Sequence, residues 1–436
     1  MRIEKILVFI IPVGLIATGF FTGYSNQRHI NVISLPVEKP DRQFYSFPIF
    51  ESFDIKAFLS RIFPETITPE EIKRKYQSEK VRILLVPGHD NIYTGAVFGD
   101  LKETELNVLV AGYLYELFKK DSRFEVIIAR NLNGGFYTKE FGDYFNQQRN
   151  SILSFMKERK DLVKNLLDSG DIKENVAIEH NFAPGDTAVK LYGINKWANE
   201  NDIDLSLHIH FNDDPSRKGY YSGEYSGLAI YVPEEQYSNA RASKDIASSL
   251  LNELKQYFPL SNNPLEKGTV IEAQELIALG SNASQEGAAL LLEYGYIYEA
   301  RFLDPKVREK VFGELAFQTY QGIKKYFDPN YLEPGFQTSL LPHKFRNNLK
   351  RGLSASVDVL ALQAALHEQK LYPPPERDLG ACPINGNFGP CTERAVALFQ
   401  ERYKKEVLTP TDLFRGTGFV GSYTLKKLNE LYSLNY

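Results

Sequence analysis

The stretch Val81-Arg82-Ile83-Leu84-Leu85-Val86-Pro87-Gly88-His89 is an apolar, mostly branched run closed by a turn and a histidine. It reads as a strand buried on both faces, the kind found in parallel sheets. Pro87-Gly88 ends the strand and turns the chain. His89 is left on the loop beyond the strand's carboxyl end. In open α/β sheets that edge is where ligands bind.

Downstream the period changes. From Glu103, the residues Leu106, Leu109, Val110, Tyr113, Leu114 and Leu117 recur at three and four, which predicts a helix with these side chains on its inner face. Residues 124–129 read as the next strand. Residues 131–190 break the alternation. They hold a Gly134-Gly135 turn and a polar helical stretch at 151–169, and read as an insertion on the sheet edge. A lid, a substrate wall and an inert surface addition all fit it. The alternation then resumes with a helix at 191–199, strands at 203–211 and 228–232, a helix at 240–257, a strand at 288–293 and a helix at 305–326. The expected fold class is α/β, an open mixed sheet flanked by helices over residues 81–328.

Both ends of the 436-residue chain differ from this middle. Residues 1–25 carry a short charged lead, Met1-Arg2-Ile3-Glu4-Lys5, then an almost wholly apolar run from Ile6 to Phe21. That pattern reads as a secretory signal or a single membrane anchor, with the uncleaved anchor preferred for want of a good cleavage site. Residues 26–80 are proline-scattered and read as a tether. Within them Thr68-Pro69-Glu70-Glu71 opens a short helix, with Thr68 as its cap. A linker spans 329–350. Residues 351–436 are strand-poor, with helical patterns at 357–369, 392–403 and 423–432, and are expected to form a small all-α three-helix bundle. Gly386-Asn387-Phe388-Gly389 and Gly418-Phe419-Val420-Gly421 look alike, each with a threonine shortly after, a weak internal repeat. The two cysteines, Cys382 and Cys391, fit a local disulfide or two buried thiols.

Composition is that of a folded protein, 43% hydrophobic and 24% charged. A net charge of −4 gives no basic excess, so no nucleic acid partner is expected. Four side chains carry the chemistry: His89, Glu103, His210 and Glu293, each at the start or end of a predicted element. Two imidazoles and a carboxylate can hold Zn²⁺ with a fourth position open for water. A second carboxylate beside that water supplies a general base. A metal-dependent hydrolase is the reading that follows.

The wider contexts are specific. They run Val86-Pro87-Gly88-His89 with Thr94-Gly95-Ala96, then Glu103-Thr104-Glu105-Leu106-Asn107, then Asp204-Leu205-Ser206-Leu207-His208-Ile209-His210-Phe211-Asn212, then Leu291-Leu292-Glu293-Tyr294-Gly295-Tyr296. In this order the segment resembles the zinc-dependent N-acetylmuramoyl-L-alanine amidases that cleave peptidoglycan. The resemblance implies Zn²⁺ held by His89, Glu103 and His210, with Glu293 catalytic. It assigns the ligand role to Glu103 rather than Glu105, which reads as a solvated helix residue. His208 reads as a polar core residue at the sheet edge, with a role beside the metal or substrate as the alternative. His180 is given no role. Asp358-Val359 through Leu366, and Gly386 through Gln400, resemble a small peptidoglycan-binding domain, in which a Cys382–Cys391 bridge would pin the extension at 371–384.

Two departures from the family pattern stand out. Asp90-Asn91 occupies the place of a usual glycine pair, and the helix segment Leu191–Asn195 lacks the family's usual arginine. The expected function is hydrolysis of the amide between N-acetylmuramic acid and the L-alanine of the stem peptide. The expected partners are peptidoglycan and, through residues 1–25, a membrane; the expected location is the extracytoplasmic cell envelope. The alternatives are a non-catalytic wall-binding protein and a zinc peptidase acting on stem peptides.

Overall fold

The computed structural model describes residues 66–174, 183, 185–266 and 270–434. The signal or anchor at 1–25, most of the tether and His180 lie outside the described residues. Among the described residues no helix is long and apolar enough to cross a membrane.

The chain runs α1 (Pro69–Ser78), β1 (Val81–Pro87), a small hairpin β2 (Val97–Phe98) and β3 (Leu101–Lys102), α2 (Glu103–Lys120), β4 (Phe124–Ile128), α3 (Lys139–Gln147), α4 (Arg149–Ser169) and α5 (Gly185–Glu200). It continues with β5 (Leu205–Asn212), β6 (Ala229–Pro233), α6 (Ala240–Tyr257), β7 (Ile271–Ala273), β8 (Ala288–Tyr296), α7 (Ala300–Leu303) and α8 (Pro305–Phe327). The last part holds α9 (Val357–Glu368), α10 (Pro390–Arg402), the short α11 (Lys404–Val407) and α12 (Ser422–Tyr432).

The main sheet has six strands in the order β4-β1-β5-β8-β6-β7. Neighbours from β4 to β8 are parallel, β6 runs antiparallel to β8, and β7 is parallel to β6. The mixed sheet read from the sequence is the one observed. The parallel strands put the carboxyl ends of β1, β5 and β8 on one edge, and the site lies there.

Strand alternation divides the core. Ile83, Leu85, Leu207, Ile209, Leu290 and Leu292 face α2, α6 and α8 through Leu106, Leu114, Leu250 and Phe312. Leu109, expected on the same inner face, is exposed instead, while Val108, Ala111 and Phe118 are buried: the inner face of α2 is turned from the one its sequence pattern suggests. Leu84 and Val86 point to the other face and meet Phe141, Phe145, Ile152, Tyr192 and Trp197. Phe141, Phe145 and Ile152 belong to the segment read as an edge insertion. That reading is corrected, and with it the idea of an inert surface addition. The helices α3 and α4, with α5, form the layer that covers this face of the sheet. The polar outer surface of α4, with only Ile152, Val163 and Leu166 buried, is why the segment looked peripheral in sequence.

The end of the tether is also built into the domain. Thr68 caps α1 as expected, and Glu71 completes a capping box with it. From α1, Ile72 joins the main core, Tyr76 stacks on Phe327, and Lys75 pairs with Asp204 at 2.8 Å.

At the carboxyl end α9, α10 and α12 form the expected three helices, and Cys382 is disulfide-bonded to Cys391. The internal repeat has a physical basis. Gln363 Oε1 accepts from the Asn385 and Gly386 amides, and its Nε2 donates to Asn387 O and Thr392 Oγ1. Gln400 does the same with Thr417 and Gly418, and with Phe419 O and Thr424 Oγ1. One buried glutamine thus ties each Gly-rich loop to the helix that follows it. The bundle docks on the sheet domain at Tyr257, whose hydroxyl donates to Glu368 and whose ring packs on His367 at 4.8 Å.

Candidate metal centre

His89, Glu103 and His210 converge at the carboxyl edge of the sheet, each bringing one ligand atom to within 4.8 Å of the others. The backbone explains the convergence. Gly88 N donates to Ile209 O at 2.9 Å, which sets the end of β1 beside the end of β5. The approach is so close that a Cβ on Gly88 would sit 2.1 Å from His210 Cε1. The chain then turns through His89, a non-glycine residue at φ 60°. Such a left-handed conformation costs about 1–3 kcal/mol and persists only where the surroundings hold it.

Glu103 is the first residue of α2, with no side-chain cap before it. Its carboxylate turns back over the helix start. Oε2 accepts from Ala96 N at 2.8 Å and lies 3.0 Å from His89 Nε2. Oε1 accepts from Phe211 N at 3.2 Å and lies 2.9 Å from His210 Nδ1. Gly95, at φ 71°, lets the loop pass: a Cβ there would lie 2.2 Å from Glu103 Oε2.

Glu293 stands on β8 directly in register with His210 on β5. It is 3% exposed, and its Oε2 has no hydrogen-bond partner among the described residues. Nearby, Glu266 is buried but saturated. It accepts from Asn212 Nδ2 at 2.6 Å, Tyr231 OH at 3.0 Å, Tyr296 OH at 3.1 Å and Ser261 Oγ.

Protonation follows from burial and neighbours. Burial alone would raise Glu103, but the charges and hydrogen bonds of His89 and His210 outweigh it and hold the carboxyl far below the usual range. Burial lowers His89, yet Glu103 more than offsets it, so His89 ends above its ordinary value. At His210 burial wins over Glu103, and the imidazole is held neutral-leaning. Burial, then the charges of Glu103 and Glu266, push Glu293 well up.

The residues present fit a divalent zinc ion. Two imidazoles and a carboxylate are its usual catalytic donor set. A buried carboxylate, 3% exposed beside them and with one oxygen lacking a hydrogen-bond partner among the described residues, is costly unless a cation or water meets it.

All four residues singled out in the sequence come to one place. Glu105 does not; it is exposed and pairs with Lys102. His208 lies on the same face of β5 as His210, is 1% exposed, and has an unpartnered Nε2 among the described residues. Burial, then His210, pushes it down to about 3. It sits on a central strand rather than at the sheet edge, which corrects its expected position.

Three groups escaped the sequence reading. Arg130 is wholly buried and donates to Gly88 O at 2.8 Å and Thr104 Oγ1 at 2.7 Å. Its place just past β4, on the same carboxyl edge, was a usable signal. Lys190 pairs with Asp90, and its distance in sequence from His89 hid it. Glu266 ends a single 3-10 turn, Pro264–Glu266, too short to carry a period that would mark it.

Residues 161–325 match the family described as N-acetylmuramoyl-L-alanine amidase. This is an amidase-family domain. The matched part of the amidase domain contains His210 and Glu293, while His89 and Glu103 precede it. No curated protein matches the chain in sequence. Among solved structures, the N-acetylmuramoyl-L-alanine amidase from Clostridium difficile 630 is 16% identical, with a TM-score of 0.37, covering 58% of this chain and 100% of its own. AmiC2 of Nostoc punctiforme is 16% identical, with a TM-score of 0.35, covering 57% and 98%. Ami1 from Mycobacterium smegmatis is 11% identical, with a TM-score of 0.37, covering 57% and 98%. The assignment rests on the family match and on the site, not on these likenesses.

Proposed function

We propose that the amidase domain hydrolyses the amide joining N-acetylmuramic acid to the L-alanine of the stem peptide, with Zn²⁺ held by His89, Glu103 and His210 and with Glu293 as general base. One observation carries the reading: three ligand-type side chains meet within 4.8 Å beside a buried carboxylate with an unpartnered oxygen. Bound Zn²⁺ supplies a polarised carbonyl and a water acidified to a pKa of about 7.

The chain's own groups do the rest. Glu293 takes the proton of the attacking water and returns it to the leaving amine. Its high proton affinity suits the second half of that task. Glu103 is anchored by the Ala96 and Phe211 amides, which keeps its carboxylate aimed at the two imidazoles. Buried Glu266 holds Asn212, at the end of β5, through a 2.6 Å hydrogen bond.

The carboxyl-terminal bundle is proposed to bind peptidoglycan, and residues 1–25 to export or anchor the protein in the cell envelope. The bundle's resemblance and the apolar lead support these parts.

The test is to incubate the full-length protein with purified peptidoglycan, with and without a chelator, and to identify the fragments by mass spectrometry. Free stem peptides beginning at L-alanine, absent with chelator, are expected. Cleavage inside the peptide would point to a zinc peptidase. Wall binding with no fragments would point to a non-catalytic wall protein.

A further inference from the structure

The two departures from the family pattern meet in space. Asp90 replaces a usual glycine, and the helix that lacks the usual arginine, α5, carries a lysine turned toward it. Lys190 Nζ lies 2.8 Å from Asp90 Oδ2, with side chains 16% and 10% exposed. Asp90 Oδ1 accepts from Ile92 N at 2.8 Å and Tyr93 N at 2.9 Å, while Asp90 N donates to Tyr93 O at 3.1 Å. The carboxylate therefore closes a tight loop immediately after His89 and ties that loop to α5.

The grip extends to both sides of His89. Before it, Gly88 O accepts from Arg130 Nη1 at 2.8 Å and from Asn107 Nδ2 at 3.1 Å. After it, Asn91 Nδ2 donates to Gly134 O at 2.9 Å. Lys190 itself is braced by Asp186 Oδ2 at 3.4 Å and lies over the Tyr137 ring at 5.7 Å. Every group on the Lys190 side belongs to the 131–190 segment. A glycine pair at 90–91 would offer none of these side-chain contacts.

We propose that Asp90 and Lys190 are positioning residues for His89, so that the helical segment 131–190 sets the geometry of the zinc site. The physical reason is the backbone of His89. At φ 60° it holds its place only because its surroundings over-determine it. A ligand must be fixed to about 0.5 Å for a metal to bind well. Removing the cation releases the carboxylate that closes the loop, and the imidazole then loses its fixed direction. Loss of such supporting groups weakens metal binding by about 10–100-fold.

The inference rests on the zinc reading above. Its test measures binding rather than turnover, on the full-length protein stripped of metal. Zn²⁺ affinity is read by competition with a chromophoric chelator, the visible spectrum is recorded with Co²⁺, and the metal-free melting temperature is taken alongside. Lys190→Met is expected to bind Zn²⁺ about 10–100-fold more weakly and to shift the Co²⁺ spectrum. Lys190→Arg is expected to restore both. Should Lys190→Met not fold, Lys190→Gln, which keeps a donor without the charge, is read in the same way. Wild-type affinity and spectrum in the folded Lys190 variant, with only a lower melting temperature, would overturn the proposal and leave the pair a structural brace. Failure of the wild-type protein to bind either ion would instead remove the zinc reading on which it stands.

Discussion

His210 and Glu293 stand in register across the parallel strands β5 and β8, yet their hydrogen bonding differs. His210 Nδ1 lies 2.9 Å from Glu103 Oε1, while Glu293 Oε2 has no partner among the described residues. A base must be free to move a proton, and freedom in a buried place is destabilising.

Glu293→Gln separates these two effects. It removes the proposed base and leaves the three proposed ligands, so zinc content is expected to stay near wild type while amide cleavage falls about 10²–10⁴-fold. Stability of the metal-free protein moves the other way. The Glu293 carboxyl is raised in the folded state above its ordinary 4.5. As pH rises through 4.5 the unfolded chain releases this proton and the folded one keeps it, so the wild type loses stability toward pH 8. The amide side chain of the Glu293→Gln variant has nothing to titrate. Urea midpoints of metal-free protein from pH 4.5 to 8 should fall more steeply for the wild type; parallel curves would remove Glu293 from the account.

Gly88→Ala tests the closeness of β1 and β5. A methyl group 2.1 Å from His210 Cε1 cannot be accommodated unless the ring moves. Gly88 has no positive φ, so its backbone itself tolerates alanine. The expected result is a zinc affinity lowered by about 10–100-fold with the far-ultraviolet dichroism of the fold retained. Metal analysis after dialysis against buffered zinc gives the readout.

The strands, the order of helices and the convergence of these side chains were legible in the sequence for one reason. A buried strand and an amphipathic helix write their burial into their period, and the sheet's carboxyl edge turns strand ends into a site. Val81–Val86, His89 and His210 all follow from that. Burial by packing from elsewhere leaves no such mark. Phe141, Phe145 and Ile152 are scattered among polar residues, and only the fold shows that they cover Leu84 and Val86. Lys190 reaches Asp90, and Glu266 reaches Asn212, Tyr231 and Tyr296, across long stretches of sequence, which no local pattern records.

His367 is expected to make the docking of the carboxyl-terminal bundle depend on pH. Burial lowers its pKa below the ordinary 6.5, although its hydrogen bond to Tyr372 O, at 2.7 Å, opposes this. Below 6.5 the unfolded histidine takes up a proton that the folded one resists, so stability is full above 6.5 and declines as pH falls through the window beneath it. His367→Asn, which keeps a donor near Nδ1, should flatten this decline between pH 7.5 and 5.5. Urea midpoints across that range, with Tyr fluorescence reporting the Tyr257 contact, provide the measurement. An unchanged slope would place the titration elsewhere.

Helix α1 gives the sharpest test of where the folded domain begins. The sequence places its start at residue 81, with residues 26–80 read as a tether. In the structure, Tyr76 stacks on Phe327 with ring centroids 4.6 Å apart, and its hydroxyl accepts from Lys324 at 3.0 Å. Ile72 is 1% exposed. Lys75 is the cation beside Asp204, whose carboxyl burial already raises; without Lys75 that buried group would have only the Arg82 amide and the more distant Arg82 charge. Tyr76→Ala is expected to destabilise the protein by about 3–5 kcal/mol, the usual range for truncating a buried aromatic. Beginning the chain at Val81 should lower the urea midpoint further than Tyr76→Ala does, because it also exposes Ile72's site and strands Asp204. Beginning it at Thr66 should leave the midpoint unchanged. Equal midpoints for starts at 66 and 81 would show that α1 merely rests on the domain; the expected gap would show that the folded domain begins before residue 81, with α1 part of its core.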